Sequence, residues 1–199
     1  MLAAPAGLDT RPTADRLRET LFNMLTQGAM DRVTGGHFLD LYAGSGAVGI
    51  EALSRGAAHV TFVEQAPAAL AVLRGNLDSL GLKTAFNMER RSVATFLRGA
   101  IEKNQDQDDI AGRFSVVFLD PPYEAADEYA TTLSLLGGIG TGLLTQGAWV
   151  IAEHRRKAQL EERYGGLARW RVKEQGDAGL SFYEVRSGEV ASTSEETRT

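Results

Sequence analysis

The sequence predicts an α/β fold, a mostly parallel sheet of seven strands with one antiparallel strand and with helices on both faces. Short apolar runs alternate with longer amphipathic segments between His37 and His154, which is the pattern of parallel strands joined by helices. The runs are almost continuously apolar, as expected for strands covered on both faces. The last two runs are joined by a short connection, which permits only an antiparallel pair.

The first predicted element is a helix over Ala14–Gln27, because Leu17 and Leu21 fall on one apolar face at helical spacing. Thr13 suits the N-cap position and Gly28 suits the residue after the last turn. This helix precedes the first strand of the sheet.

The later elements follow from the same alternation of patterns. The seven strands are predicted over His37–Tyr42, Val60–Glu64, Thr84–Arg90, Phe114–Asp120, Ala148–His154, Arg169–Gln175 and Leu180–Arg186. The intervening helices are predicted over Ala47–Arg55, Pro67–Leu80, Val93–Lys103 and Ala126–Leu136. The polar residues 104–112 are expected to form a solvated loop.

Length and composition limit the classes of protein. A chain of 199 residues fits one domain, predicted over residues 1–186, and the tail 187–199 is expected to be disordered because it is almost devoid of apolar residues. The absence of cysteine excludes disulfides and thiolate metal sites, and three scattered histidines predict no metal site. No apolar run could span a bilayer and no signal peptide is evident, so a cytoplasmic protein is expected. The net charge of −5 argues against non-specific coating of nucleic acid.

A glycine-rich loop follows the first strand. Gly44, Gly46 and Gly49 match the spacing of a dinucleotide-binding loop, and Glu64 ends the second strand twenty residues after Gly44. Such a loop brings backbone amides at a helix N-terminus close to a ligand. A pyrophosphate requires only donors there, whereas the ammonium group of S-adenosylmethionine requires acceptors. Asp40, four residues before the first glycine, provides a carboxylate that suits the ammonium and would sit badly beside a pyrophosphate, but the loop alone leaves both S-adenosylmethionine and NAD open.

The strand over Phe114–Asp120 ends in the turn Asp120-Pro121-Pro122-Tyr123. In open α/β sheets, ligands bind at the carboxyl ends of the strands. The Asp120 carboxylate can accept a hydrogen bond from one N–H of an exocyclic amine, and the Pro121 carbonyl can accept one from the other. The two prolines hold this carbonyl rigidly, and together the two acceptors localise the lone pair of the nitrogen. Tyr123 offers a face on which a flipped-out base can stack. The turn therefore predicts methylation of the amino nitrogen of a nucleic-acid base. Because a hydride-transfer enzyme has no use for such a turn, it favours S-adenosylmethionine over NAD.

Several segments together resemble the bacterial RsmD-type 16S rRNA guanine-N2 methyltransferases. The segments are Thr10–Asn23, the glycine loop within Leu39–Ala57, FVEQ at Phe62–Gln65, NLDSLGL at Asn76–Leu82, DPPY at Asp120–Tyr123 and LSFYEV at Leu180–Val185. The resemblance implies a Rossmann-like class I fold and methylation of one guanine N2 in 16S rRNA, on 30S subunits or assembly particles. It also implies that the site residues lie on these motifs. It also implies a helix within residues 10–28 that covers the cofactor, and we expect a monomer without membrane or metal partners.

The resemblance assigns roles residue by residue. The cofactor-binding residues implied by the family motifs are Asp40, Tyr42, Ala43, Gly44, Ser45, Gly46, Glu64, Gln65, Ser92 and Val93. Of these, Glu64 would bind the ribose hydroxyls, while Gln65, Ser92 and Val93 would lie beside the adenine. The sequence departs from the family at Ser92, where Asp or Asn is more usual, and it lacks the basic N-terminal β-hairpin that family members carry.

The RNA contacts are expected from two groups of arginines. Arg11, Arg16 and Arg18 precede the sheet, and Arg155 and Arg156 follow the fifth predicted strand on the same edge as the catalytic turn. Phosphate binding and simple solvation of these side chains are equally compatible with the pattern. The alternatives that stay open are a DNA adenine-N6 or protein glutamine-N5 methyltransferase, a non-catalytic cofactor-binding module for ribosome assembly, and a NAD oxidoreductase.

Overall fold

A computed structural model describes residues 12–27, 31–105, 113–122, 125–138 and 140–186. The helices are α1 (Pro12–Thr26), α2 (Ala47–Ser54), α3 (Pro67–Ser79), α4 (Val93–Gln105) and α5 (Ala126–Leu136). The strands are β1 (His37–Leu41), β2 (His59–Val63), β3 (Phe86–Glu89), β4 (Phe114–Leu119), β5 (Leu144–Arg155), β6 (Arg163–Tyr164), β7 (Leu167–Gln175) and β8 (Ala178–Val185). The predicted tail 187–199 and most of the loop 104–112 lie outside the described residues.

The strands form one sheet in the order β3-β2-β1-β4-β5-β8-β7-β6. Strands β1 to β5 pair in parallel, and β8 runs antiparallel to both of its neighbours, β5 and β7. The predicted fold class is therefore confirmed. The chain order reverses on the two sides of β1, so the carboxyl ends of β1 and β4 frame the crevice in which such sheets bind ligands.

The predicted count of seven strands is wrong, because the sheet contains an eighth strand, β6. Its two residues pair antiparallel with the start of β7, and the two are joined by Gly165 and Gly166. Gly165 has a φ of +58°, which glycine adopts without steric cost. A two-residue strand has too few side chains to show an alternating pattern, so sequence periodicity does not detect it.

Strand β5 also begins earlier than predicted, at Leu144 rather than Ala148. Its pairing with β4 shifts register between Phe114 and Val116, and Gly147 has a φ of +73°. An irregular strand start of this kind interrupts the apolar pattern from which strands are recognised.

Two apolar layers cover the two faces of the sheet. On one face, α1, α2 and α3 pack against strand residues such as Phe118 and Ile151. On the other face, α4 and α5 pack against residues such as Leu119 and Ala152. Because consecutive strand residues alternate between faces, this division also assigns each polar residue at the strand ends to one side. In the described part of the chain, no helix is long and apolar enough to cross a membrane.

Candidate active site

The side chains predicted to form the site gather where the parallel strands end. In the pairing of β1 with β4, Leu41 lies opposite Leu119, so the glycine loop and Asp120 leave neighbouring strands at one edge. Glu64 leaves β2 at the same edge, because Val63 lies opposite Leu41. We call this edge the carboxyl edge.

The glycines of the loop have different structural roles. At Gly44, with a φ of +56°, an added Cβ would meet nothing closer than 3.9 Å. At Gly46, the N-cap of α2, an added Cβ would lie 2.2 Å from the Leu73 side chain. At Gly49 it would lie 2.3 Å from Phe62. Gly46 and Gly49 therefore permit close packing, whereas Gly44 leaves open space beside the loop.

Two side chains fix the position of the loop. The Glu64 carboxylate accepts hydrogen bonds from the backbone N–H of Gly44 at 2.9 Å and from those of Gln65 and Ala66 at 2.8 Å. The buried Asn76 donates from its side-chain amide to the Ser45 carbonyl at 3.0 Å. The loop is thus held from β2 on one side and from α3 on the other.

Asp40 lies beneath the loop and is only 2% exposed. Its carboxylate accepts a hydrogen bond of 2.8 Å from the backbone N–H of Gly49, in the first turn of α2. Burial raises the pKa of Asp40 to about 8, against the opposing effect of the Gly49 hydrogen bond, and the nearby charges of Asp120 and Glu64 raise this pKa further. Three carboxyl groups therefore share the electrostatic environment of this edge.

Tyr42 directs its side chain away from the loop, towards α5. Its hydroxyl group donates to Glu128 at 2.7 Å and lies 2.8 Å from the Thr132 hydroxyl group. Burial raises the pKa of Tyr42, so the phenol stays protonated. Its φ of +59° is unusual for a residue with a side chain and turns the backbone into the buried Ala43 and the glycines. Tyr42 thus shapes the loop through its backbone.

The turn predicted to be catalytic, Asp120-Pro121-Pro122, begins directly after β4. Pro121 is buried, Pro122 is exposed, and the Pro122 carbonyl accepts a hydrogen bond of 2.8 Å from the backbone N–H of Ala125. Asp120 keeps partial exposure at the edge, but its carboxyl group is enclosed, and this burial raises its pKa. Tyr123 lies outside the described residues.

Glu153 is a site residue that the sequence did not predict. In the pairing of β4 with β5, Leu119 lies opposite Ala152, so Glu153 lies beside Asp120. Burial raises the pKa of Glu153, and the charge of Asp120 raises it further, while Arg18 on α1 lowers it. Its one sequence signal is an acidic residue near the end of the buried strand AWVIAEH, which resembles many solvated strand-end acids.

The residues predicted to contact an adenine lie at the ends of β2 and β3. Gln65 is exposed beside Glu64. The Ser92 hydroxyl lies 2.8 Å from that of Thr95 and accepts from the Thr95 backbone N–H at 3.3 Å, which makes Ser92 the cap of α4. Val93 is 4% exposed, with its side chain in the apolar layer beneath α4.

The predicted RNA-binding arginines have different environments. Arg16 and Arg155 are exposed, and Arg11 lies outside the described residues. Arg18 forms an ion pair of 2.9 Å with Asp15, and Arg156 forms one of 2.9 Å with Glu174. Surface pairs of this kind are weak enough for a phosphate to replace the carboxylate.

The arrangement suits a nucleoside ligand beside an amine-binding turn. The open space at Gly44 lies two residues before the N-cap of α2, and the Glu64 carboxylate can accept hydrogen bonds from sugar hydroxyls. Asp120 lies on the neighbouring strand, within electrostatic range of Asp40. Within the described ranges, no group of three or more His, Asp or Glu side chains could hold a metal ion.

Comparison with known sequences finds one family model and several relatives named as rRNA methyltransferases that are similar to this chain. The model of a family described as conserved hypothetical protein 95 matches residues 1–184. A Bacillus subtilis (strain 168) protein provisionally named rRNA methyltransferase YlbH is 35% identical over 185 residues, which cover 93% of each chain. Ribosomal RNA small subunit methyltransferase D of Haemophilus influenzae is 40% identical over 114 residues, which cover 57% of this chain and 53% of that relative.

Solved structures share the fold. The Escherichia coli protein YhhF, provisionally described as a methyltransferase, superposes with a TM-score of 0.71 at 30% identity, covering 94% of this chain and 92% of that one. SMU.776, provisionally described as a methyltransferase complexed with SAH, superposes with a TM-score of 0.65 at 13% identity, covering 87% of this chain and 49% of that one. At that identity the second similarity shows the fold alone.

Proposed function

The chain belongs to the RsmD-type family whose model is described as conserved hypothetical protein 95, and from this premise we propose that it methylates the exocyclic N2 amine of one guanine in 16S rRNA. The observation that carries the proposal is the placement of the glycine loop and of Asp120 at the ends of adjacent strands. A methyl donor bound at the loop and an amine bound at the turn then meet at one edge.

S-adenosylmethionine is the cofactor, and when bound it supplies a methyl carbon attached to a positively charged sulfur. The Glu64 carboxylate would accept hydrogen bonds from its ribose hydroxyls, and Gln65 and the start of α4 at Val93 would lie beside its adenine. Asp40, beneath the loop, favours the ammonium group of the methionine part, and that positive charge in turn favours the ionised form of Asp40.

The Asp120-Pro121-Pro122 turn positions the target amine. Asp120 accepts a hydrogen bond from one N–H of the amine, and the Pro121 carbonyl accepts one from the other. These two hydrogen bonds localise the nitrogen lone pair in the direction of the methyl donor. Tyr123 stacks on the guanine. A base paired within a helix cannot reach an enclosed edge of this kind, so the guanine enters flipped out.

The RNA backbone requires a positively charged surface near the carboxyl edge. Arg171 and Lys173 lie opposite Phe182 and Leu180 of β8, on the face covered by α1, and both are exposed. The Thr20 hydroxyl donates to the Gln175 side chain at 3.2 Å, so α1 meets β7 at its carboxyl end. Arg16 lies one helical turn before Thr20, on the same side of α1.

We call Arg16, Arg171 and Lys173 the α1–β7 strip. Strand β6 pairs only with the first two residues of β7, so it does not extend beside this part of the strand. The strip adjoins the site from the same face as α1, and its positive charge in a chain of net charge −5 favours phosphates as its ligands. Arg155 and Arg156 extend this surface at the end of β5.

The deciding experiment is transfer of a tritiated methyl group to 30S particles from cells that lack the modification, followed by nucleoside analysis. We expect the label in N2-methylguanosine of 16S rRNA. Parallel reactions contain naked 16S rRNA, duplex DNA and a glutamine-containing peptide. Label in N6-methyladenine or in the peptide would instead indicate another amino-methyltransferase. Binding of S-adenosylhomocysteine in calorimetry, together with no methyl transfer to any of these substrates, would indicate a non-catalytic module.

A further inference from the structure

Glu153 and Asp120 project from neighbouring strands on one face of the sheet. In a parallel pair, residues in register share a face, and Leu119 lies opposite Ala152 in the layer beneath α5. The next residues, Asp120 and Glu153, therefore both point to the other face. That face is the one on which α1 packs.

The groups around Glu153 come from four elements. Arg18 on α1 supplies the positive charge that acts on it, and Asp120, directly after β4, supplies the negative charge. On β8, the apolar Leu180 lies opposite Glu153. On α5, the Tyr129 hydroxyl donates to the Glu153 backbone carbonyl at 2.9 Å, which fixes the strand end. Beyond Asp120, the charges of Asp40 and Glu64 add to the negative potential of the edge.

Two adjacent carboxyl groups in an enclosed site do not readily carry two negative charges. Burial and the Asp120 charge raise the pKa of Glu153 to about 8, although Arg18 opposes this. Arg18 is shared with Asp15, at 2.9 Å, and remains partly exposed, so it does not neutralise the pair fully. Near neutral pH the pair therefore retains a proton.

We propose that Glu153 is a positioning residue for the methyl transfer, which works in its protonated form by donating a hydrogen bond to the ionised Asp120 carboxylate. This inference rests on the proposed function, and it assigns to Glu153 a task that the glycine loop and the proline turn do not perform. The hydrogen bond holds one Asp120 oxygen while the other faces the amine. Catalytic hydrogen bonds commonly shorten into alignment only in the substrate complex.

The proton balance of the step is simple. The amine nitrogen forms a bond to the methyl carbon, the carbon–sulfur bond breaks with its electron pair left on sulfur, and the amine gives one proton to Asp120. The pair, which began with one proton and one negative charge, then carries two protons and no charge. One proton leaves to water after the product dissociates.

Variants of Glu153 distinguish a neutral donor from a charged group. The Glu153→Gln variant keeps a neutral hydrogen-bond donor of the same length, so we expect its kcat at pH 7 to stay within about twofold of wild type. The Glu153→Ala variant should lose about tenfold in kcat, which is the equivalent of one hydrogen bond to a charged group. Wild-type kcat should fall above about pH 8 as Glu153 ionises, and the Gln variant should not show this fall. Exposed Glu102 on α4 provides the matched controls Glu102→Gln and Glu102→Ala, which should behave as wild type. A Gln variant as impaired as the Ala variant, or two unimpaired variants, overturns the proposal.

Carbon-13 NMR of the labelled carboxyl groups tests the same claim on the free protein, without RNA or cofactor. We expect the Glu153 carboxyl to titrate well above its ordinary range, and to titrate at lower pH in Asp120→Asn, where the neighbouring charge is removed. Titration at or below the ordinary glutamate value in wild type would show an ionised partner of Arg18 and overturn the proposal. Because this measurement needs no methyl transfer, its outcome is independent of whether rRNA is the substrate.

Discussion

The carboxylate of Glu64 accepts a hydrogen bond of 2.9 Å from the backbone N–H of Gly44. A residue at the end of β2 thus holds the first glycine of a loop that leaves β1, twenty positions earlier in the chain. The second Glu64 oxygen accepts from Gln65 and Ala66, so three backbone donors surround this carboxylate. These bonds preorganise the oxygen atoms that, in our proposal, bind a ribose.

We predict that Glu64→Ala weakens binding of S-adenosylhomocysteine about ten- to a hundredfold. The variant loses the acceptors for the sugar hydroxyls and releases the Gly44 end of the loop, and a hydrogen bond to a charged group contributes about 1.5–3 kcal/mol. Calorimetric titration measures the change, with Glu102→Ala as a control of the same type on α4. An unchanged dissociation constant would remove Glu64 from the cofactor site.

We predict that Asp120→Ala lowers the rate of methyl transfer by about a hundredfold or more, because loss of one preorganised catalytic group typically has this effect on kcat. Cofactor affinity should stay within about threefold of wild type. Asp120 directly follows β4, whereas the glycine loop follows the neighbouring strand β1, so we expect the variant to retain cofactor binding. Single-turnover transfer to 30S particles and calorimetry together test the prediction. Near-normal turnover would contradict the assigned role.

We predict opposite effects on stability from two glycine-to-alanine substitutions. At Gly49 the new Cβ would lie 2.3 Å from Phe62 and 2.8 Å from Val60, so Gly49→Ala should destabilise the protein by about 1–3 kcal/mol. At Gly75, exposed within α3, the new Cβ would meet nothing within 4 Å, and Gly75→Ala should stabilise by about 0.5–1 kcal/mol. Urea denaturation of both variants gives the free energies of unfolding, and a harmless Gly49→Ala would show that α2 is not packed as described.

We predict that replacing Asp40 changes how stability depends on pH. Burial raises the pKa of Asp40 from its ordinary value of 3.8 to about 8. The folded state therefore holds this proton more tightly than the unfolded state. The stability that this proton contributes is complete below about pH 4 and is lost as the pH rises to about 8. In Asp40→Asn this titration is absent, and the side-chain oxygen can still accept from Gly49.

The measurement for Asp40 is urea denaturation of both proteins at pH 5 and pH 8.5. The free energy of unfolding of wild type should fall relative to that of Asp40→Asn between these values. A constant difference would show that Asp40 is ionised throughout the range, and the Gly49 hydrogen bond would then outweigh burial.

We predict that charge reversal on the α1–β7 strip weakens RNA binding. Arg171→Glu/Lys173→Glu should lower affinity for 16S rRNA and reduce the slope of log K against log salt by about two, without changing S-adenosylhomocysteine binding. The control, Arg98→Glu/Lys103→Glu, places the same charges on α4, at the opposite face of the sheet. Equal losses in both double variants would indicate a general effect of net charge.

Sequence periodicity located most of the fold because buried strands and amphipathic helices leave long, regular patterns. The helix over Pro67–Ser79 and the strand over Phe114–Leu119 lie within one residue of their predicted bounds. Where the pattern is short or irregular, it fails. The two residues of β6 are too few to alternate, and the start of β5 before Gly147 interrupts the apolar run.

Motif reasoning located the backbone elements of the site more readily than the roles of individual side chains. The glycine loop and the Asp120 turn were found from contiguous residues, and they do lie at one edge. Tyr42, by contrast, points to Glu128, and Glu153 gave no contiguous signal. Its significance arises from a neighbour on another strand, thirty-three positions away.

The sequence by itself determined which residue types stand at the strand ends, and hence the family, the fold class and the methyl-donor cofactor. Only the tertiary structure decided which carboxyl groups share one enclosed space and which cations lie beside it. The physical reason is that a motif records local backbone needs, such as a tight turn or a rigid carbonyl, within a few residues. The charge states of Asp40, Asp120 and Glu153 depend on the burial of each carboxyl group and on the charges of the other two. Both the burial and the proximity of these groups arise only when β1, β4 and β5 pair.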